Sequence, residues 1–350
     1  MLNNQHSAQK SIKSPISKTD ESSNVLEFKK IDTGLTKARH PKDQNQTKPT
    51  PSELLEQTIK KIDGAYADST IRAYYADMKD LIHFCEMRGT IGLPITGEDL
   101  CSYIAHLTQS GRTSASIRRV IAGVATIHKL NRFEDPTKDP DVLLEMRRMH
   151  RKLGRYSKQA LGITSDILER MIQASEAGNR GSRDRALLLL AYDSLCRRGE
   201  LVDLRIEDIQ ISLKNNKEQM SILIRKSKTD QYAMGKRIFV SQRTKTAIKE
   251  WLERLRNPKS GILLRGVNRA QHIMDPLKPG QINRIYKRLA KLAKLERETI
   301  EQISGHSLRV GHAQDMVNAG DSLPMIMSKG RWSKTDTVMR YVEHISYRQP

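Results

Sequence analysis

Apolar residues fall into blocks of different period along this chain, and those periods outline two folded regions behind a polar tail. Residues 1–49 carry only isolated apolar positions among Ser, Thr, Asn, Gln and Lys. Such a composition buries too little surface to offset the entropy of ordering, so a disordered basic tail is predicted. From Pro51 onward, apolar positions return at the three- and four-residue spacing of a helix face. Leu54, Leu55, Thr58, Ile59 and Ile62 mark a first helix. Ile71, Tyr74, Met78, Leu81, Ile82 and Cys85 mark a second, over 69–88. Thr96-Gly97-Glu98-Asp99 has capping-box form ahead of a third helix at 100–107. Ile117, Ile121, Val124, Ile127 and His128 define a fourth over 116–130. A fifth, over 141–152, ends in the basic run Arg147, Arg148, His150, Arg151 and Lys152. Together they predict a helical bundle spanning 50–153.

The short polar stretch 154–162 is read as an interdomain linker, and 163–350 as a second domain. A helix is predicted over 164–177. The run 186–192 is apolar on every side, which predicts a buried central helix at 185–195. Residues 221–224 and 237–240 are strand-like on either side of Lys228-Thr229-Asp230-Gln231, predicting a small antiparallel sheet. Further helices are predicted at 243–255, 279–295, 307–319, 323–329 and 334–343. The expected class is mainly α, with an N-terminal helical bundle and a C-terminal mixed α+β domain.

Composition narrows the partners. The 350 residues exceed what one core usually fills, about 250–300, in keeping with two domains and a tail. Lysine and arginine total 61 against 40 acidic residues, a formal charge of +21 that favours a polyanionic partner. No apolar run approaches the ~20 residues a membrane span needs, and the polar start lacks a signal-peptide core. A cytoplasmic, nucleoid-associated protein with no membrane partner is expected. Cys85, Cys101 and Cys196 are widely spaced with no metal-ligand pairing, as packed thiols in a reducing compartment would be. Phosphate-loop, dinucleotide, HxxxH and CxxC patterns are all missing, so neither metal nor other cofactor is expected.

Four clusters carry candidate chemistry. In Ser304-Gly305-His306-Ser307-Leu308-Arg309, His306 and Arg309 share a helix face, with Val310, Ala313 and Val317 left for the core. A guanidinium fork beside an imidazole suits a phosphodiester. Arg197 and Glu200, also three apart, follow the apolar helix, where basic residues could equally complement its dipole. Lys226-Ser227-Lys228-Thr229 places lysines on the turn between the two strands. Last come Gly330-Arg331-Trp332, the capping-box form Ser333-Lys334-Thr335-Asp336, and a helix presenting Tyr341. Each cluster alone is read more simply as ordinary surface or core.

Their order changes that. Arg-x-x-Glu, a turn lysine, His-x-x-Arg, Trp and then Tyr resembles the signature of the tyrosine recombinase (phage integrase) family, and most of all its Cre-like branch. SGHS-x-RVG at 304–311, MIM…G-x-W at 325–332 and VMRY at 338–341 are similar to that branch's C-terminal boxes. The nine-residue step from Trp332 to Tyr341 fits as well. MRRMHRK and KQAL within 146–161 are similar to its interdomain segment, so the resemblance covers roughly 52–341.

The resemblance implies a DNA breaking-rejoining fold and catalytic roles for Arg197, Glu200, Lys228, His306, Arg309, Trp332 and Tyr341. Arg198 and Lys226 are close competitors; spacing to Glu200 favours Arg197, and the K-T dipeptide favours Lys228. Tyr341 would attack phosphorus, leaving a 3′-phosphotyrosine and a free 5′-hydroxyl, with Lys228 as the acid and His306 or a water as the base. Neither ATP nor metal would take part. The implied partner is double-stranded DNA carrying a specific inverted-repeat site, clamped between the domains. A homotetramer would form on two such sites, with a monomer in free solution. Candidate DNA contacts are Arg72, Arg118, Arg119, Arg147, Arg148, Arg151, Asn283, Arg284, Lys287 and Arg288. Only 342–350 follow the nucleophile, shorter than the terminal helix that Cre-like enzymes dock into a neighbour. The element that locks the tetramer, and cleavage in cis or in trans, therefore stay open. The rivals are a type IB topoisomerase and a DNA-binding protein without catalysis.

Overall fold

The computed structural model describes residues 49–155, 159–225 and 235–342. Of the elements expected above, the tail to residue 48, the turn with Lys226 and Lys228, and 343–350 lie outside the described residues.

Five helices take up the first apolar blocks: α1 (Pro51–Lys61), α2 (Asp68–Met87), α3 (Gly97–Gln109), α4 (Ser114–Leu130) and α5 (Pro140–Leu153). Their apolar stripes meet in one core that includes Leu81, Leu100, Ile104, Ile117, Val124, Ile127 and Val142. Hydroxyl caps set the starts. Thr50 and Glu53 form a full capping box on α1, and Thr113 accepts from Ser116 N on α4. At α3 only half of the expected box forms. Thr96 accepts from Asp99 N at 3.1 Å, but the short Asp99 side chain reaches the Thr96 hydroxyl, not its backbone. His128 is buried, accepting from Ile95 N through Nε2 and reaching the Glu134 carbonyl at 2.7 Å through Nδ1. Burial first of all holds its pKa down, which agrees with a neutral ring in that role.

Gly154, at φ 73°, ends α5. The stretch expected as a linker is already anchored at its far end. Leu161 N donates to Gln302 O, and Ile163 N to Ser307 O at 2.9 Å. A Cβ on Gly311 would sit 1.9 Å from the Ile163 carbonyl, so the chain passes there only over glycine.

The second set of elements follows as α6 (Ser165–Gln173), α7 (Gly178–Ser194), α8 (Arg198–Val202), β1 (Ile209–Lys214), β2 (Lys217–Ile224), β3 (Lys236–Val240) and α9 (Gln242–Arg254). It continues with β4 (Arg265–Val267), β5 (Ile273–Pro276), α10 (Pro279–Leu292), α11 (Arg297–Gln302), α12 (Ser307–Asn318), α13 (Leu323–Gly330) and α14 (Thr335–Val342). The fold is mainly α with small antiparallel sheets. Helix α7 is central, with Ala186 to Ala191 all buried. It begins well before the expected position because its polar start is buried as an ion pair, Arg183 Nε to Asp184 at 2.7 Å.

The sheet runs β1-β2-β3, antiparallel, and pairs Ile209 with Ile222 and Ile222 with Ile238. Strand β1 was not expected, since Ile211 and Leu213 point to solvent and give no core signal. Asn215 and Asn216, both at positive φ, close the β1–β2 hairpin, the conformation a two-residue turn requires. Among the described residues no helix is long and apolar enough to cross a membrane. A third, smaller core joins Leu195, Ala313, Met316, Ile326, Trp332 and Val338. It fixes α12, α13 and α14 against the end of α7.

Candidate active site

The site begins where α7 stops. Ser194 is its last residue, and Leu195 turns left-handed at φ 47°, a conformation disfavoured by roughly 1 kcal/mol for a residue with a Cβ. Arg197 therefore does not sit at the tip of α7, where the sequence pattern places it; it caps the start of the short helix α8. Glu200 lies in the first turn of α8 and folds back. One carboxylate oxygen accepts from the Arg197 guanidinium at 2.7 Å, the other from Arg197 N at 2.9 Å. That second oxygen also accepts from Arg331 at 2.8 Å. Burial pushes the Glu200 pKa up, but Arg331 and the Arg197 donors outweigh it and hold the carboxyl below its ordinary range.

His306 sits just ahead of α12, and Arg309 in the first turn. The pair is thus at the helix mouth rather than on one continuous helical face. Arg309 is 3% exposed and spans two segments, donating to the carbonyls of Leu195 and Gly330. Its guanidinium stacks 4.2 Å from the centre of the Trp332 ring. Burial, then Arg197 and Arg331, lower its pKa to about 10, which still leaves it charged at neutral pH. His306 keeps an exposed surface, yet desolvation and then Arg309, Arg198 and Arg197 hold its pKa below the usual imidazole value. Its ring is accordingly neutral at pH 7 and can accept a proton.

Trp332 is buried rather than presented to solvent, and its ring lies 5.7 Å from that of Tyr341. A Cβ on Gly330 would stand 1.9 Å from the indole, so glycine is needed for the ring to fold back there. The expected Ser333–Asp336 box does not form. Helix α14 starts at Thr335, which puts Lys334 rather than Ser333 at the flanking position. Tyr341 is half-buried, and its carbonyl accepts from Gln314 at 3.1 Å.

Contacts thus join Arg197 to Glu200 and Arg309 to Trp332; Arg331 and the Leu195 carbonyl link the two pairs, Tyr341 is reached through Trp332, and His306 feels the charge of Arg309, Arg198 and Arg197. Lys228 lies outside the described residues. Sequence reasoning missed Arg331, a basic residue after a helix-ending glycine, whose partner Glu200 is distant in sequence.

Among the candidate DNA contacts, Arg72, Arg147, Arg151 and Arg284 are exposed. Arg118, Arg119 and Arg148 are exposed as well but make internal bonds, and Asn283, Lys287 and Arg288 are partly buried. Arg119 pairs with Asp77, Arg148 with Glu145, and Arg288 with Asp184 and Glu176. Arg118 reaches the Arg155 carbonyl at 3.5 Å and Lys287 that of Glu301 at 3.0 Å, while Asn283 Oδ1 is buried without a partner among the described residues.

Beside the site, His312 is buried with Lys329 donating to its Nε2 at 2.9 Å and the Tyr192 ring 4.2 Å away. Burial, then Lys329, lower its pKa from 6.5 to about 4. The unfolded chain therefore takes up this proton first as pH falls. Stability should drop between pH 6.5 and 4, by on the order of 2–3 kcal/mol from this group. As pH drops across that range the melting temperature of the parent should fall relative to that of His312→Leu; parallel curves would count against the assignment.

Residues 162–347 match the model of the phage integrase family. The chain is 27% identical over 295 residues to an integrase/recombinase XerD homolog of Selenomonas ruminantium, covering 81% of this chain and 84% of that protein. It is 25% identical over 297 residues to the recombinase Cre of Escherichia phage P1, covering 80% and 85%. The fold is similar to that of XerH site-specific recombinase bound to palindromic difH substrate, with a TM-score of 0.56 at 14% identity, over 89% of this chain and 97% of that one. A lambda integrase dimer bound to a COC′ core site gives 0.56 at 15% identity, over 82% and 93%.

Proposed function

The chain belongs to the phage integrase family, and on that premise we propose that Tyr341 cuts duplex DNA through a covalent 3′-phosphotyrosine link. Strands are then exchanged between paired target sites through a Holliday junction. One observation carries this reading. Arg197 with Glu200 at the start of α8, and Arg309 with Trp332, lie beside the helix that bears Tyr341, linked through Arg331 and the Leu195 carbonyl.

A phosphodiester resists attack because its charge repels nucleophiles and its alkoxide leaves poorly. Arg197, oriented by Glu200, offers the more open guanidinium for a non-bridging oxygen; Arg309 supplies a second positive charge from within. Removing one such fixed donor typically slows the reaction by about 10²–10³-fold. Neutral His306 is available to take the tyrosine proton, and Lys228 to protonate the leaving 5′-oxygen. The covalent link conserves the bond energy, so religation needs no ATP. The bundle at 50–153 and the catalytic domain at 163–350, joined by 154–162, close around the duplex in this reading. A tetramer assembles on two inverted-repeat sites, within the nucleoid.

Phosphate contacts from exposed arginines make the affinity depend on salt. With 6–10 contacts it should fall by about 10³–10⁵ between 50 and 200 mM salt. The test starts by sequencing DNA captured by the Tyr341→Phe variant. A nicked duplex with that site should trap a covalent adduct with the parent chain, and a plasmid with two sites should recombine. Relaxation of supercoils without strand exchange would favour the topoisomerase chemistry instead.

A further inference from the structure

We propose that Arg331 is a positioning residue, one that couples the segment bearing Tyr341 to the phosphate-holding pair Arg197–Glu200. The inference rests on the reaction proposed above. Arg331 opens the loop between α13 and α14, the loop that also carries Trp332 and leads to the nucleophile. Its guanidinium does not face solvent. The side chain is 7% exposed and turns wholly onto the break between α7 and α8. One nitrogen donates to Ser194 O at 3.1 Å. The other reaches Leu195 O at 3.3 Å and the Glu200 carboxylate at 2.8 Å. Its Nε is buried with no acceptor among the described residues.

Two features separate this role from that of a helix cap. First, Arg331 is left-handed, at φ 57°, a conformation that glycine adopts more readily. An arginine kept there for the turn alone would be the poorer choice. Second, the acceptors are spread over a carboxylate and two carbonyls. A planar fork can serve them together, and a single ammonium cannot. Glu200 is the shared link: its oxygens hold Arg197 from one side and Arg331 from the other. Arg309 closes the loop, since it donates to Leu195 O and Gly330 O, the residues beside each end of this bridge. A shift of the α13–α14 loop therefore moves Glu200, and with it the Arg197 fork. The terminal nitrogens of Arg331 are on protein acceptors and its Nε is buried, so it acts through Glu200 and not on the phosphate.

The test uses the full chain and a nicked duplex carrying the captured site. Arg331→Gly should keep its DNA affinity within about 2-fold of the parent, because phosphate contacts are untouched, while its melting temperature falls as Glu200 and the Ser194 and Leu195 carbonyls lose a donor; cleavage is compared at a temperature where both chains are folded. Its single-turnover cleavage should slow by about 10- to 100-fold, as expected for a misplaced fork. Arg331→Lys should not restore the rate. In a Glu200→Gln background, Arg331→Gly should add less than about a 2-fold further loss, because both changes break one link. If the glycine variant does not fold, Arg331→Gln is read by the same assays. Parental cleavage by these variants, or losses that multiply in the double variant, would overturn the inference while leaving the Tyr341 reaction standing. A parent that forms no Tyr341-dependent adduct would overturn that reaction, and this inference with it.

Discussion

Tyr341→Phe is expected to bind the captured duplex as tightly as the parent and to form no covalent adduct with it. The change removes one oxygen and keeps the ring. The ring's packing lies against Trp332 and the small core of Leu195, Ala313 and Val338, all apolar contacts that phenylalanine reproduces. The bond that ties this turn of α14 to α12 uses the Tyr341 backbone carbonyl, so it survives as well. Folded stability should therefore move by no more than about 0.5 kcal/mol. The chemistry has no such reserve, because the phenolic oxygen is the atom that would bond to phosphorus. Loss of a nucleophile in a cooperating set slows turnover by at least about 10⁴-fold. Denaturing gels of nicked duplex read the adduct, and mobility shifts read affinity. A phenylalanine variant that forms the adduct at the parental level would sink the mechanism.

How far the sequence revealed this arrangement depends on whether each feature is local. Helices α1 to α5 follow directly from the period of their apolar positions, because each buries one stripe against the same core. Strands β4 and β5 and helix α11 leave no such trace. The two strands are short, and no residue of α11 is buried. The start of α7 was hidden for the opposite reason, since Arg183 and Asp184 are polar yet buried against each other. In the site, the three-residue step from Arg197 to Glu200 is a local relation and was legible. The other partner of Glu200 was not, because nothing near Arg331 indicates which way its side chain turns. The basic residues offered as DNA contacts show the same limit. Composition marks Arg119 and Arg288 as cationic, but only the fold brings Asp77 and Asp184 to neutralise them.

Arg309→Lys should slow cleavage by about 10²–10³-fold, and the variant should acquire a pH dependence that the parent lacks. Arg309 bridges two carbonyls and stacks on Trp332. An ammonium can keep one of those bonds; the other carbonyl is then left buried without its donor, at about 1–3 kcal/mol. The flat stacking on the indole is lost as well. Charge is affected more. Burial and the neighbouring Arg197 and Arg331 bring the Arg309 pKa down to about 10, so the parent stays protonated through neutral pH. A lysine meets the same surroundings from a lower starting value, near 10.4, and a similar depression would leave it titrating around pH 8. Its positive charge is then present below that pH and lost above it. Cleavage by the lysine variant should therefore decline as pH rises from about 7 to 9, while the parental rate shows no matching decline from this group. Single-turnover rates across that range decide the point. A lysine variant with a pH profile parallel to the parent's would mean that the positive charge at this position is not what stabilises the phosphorane.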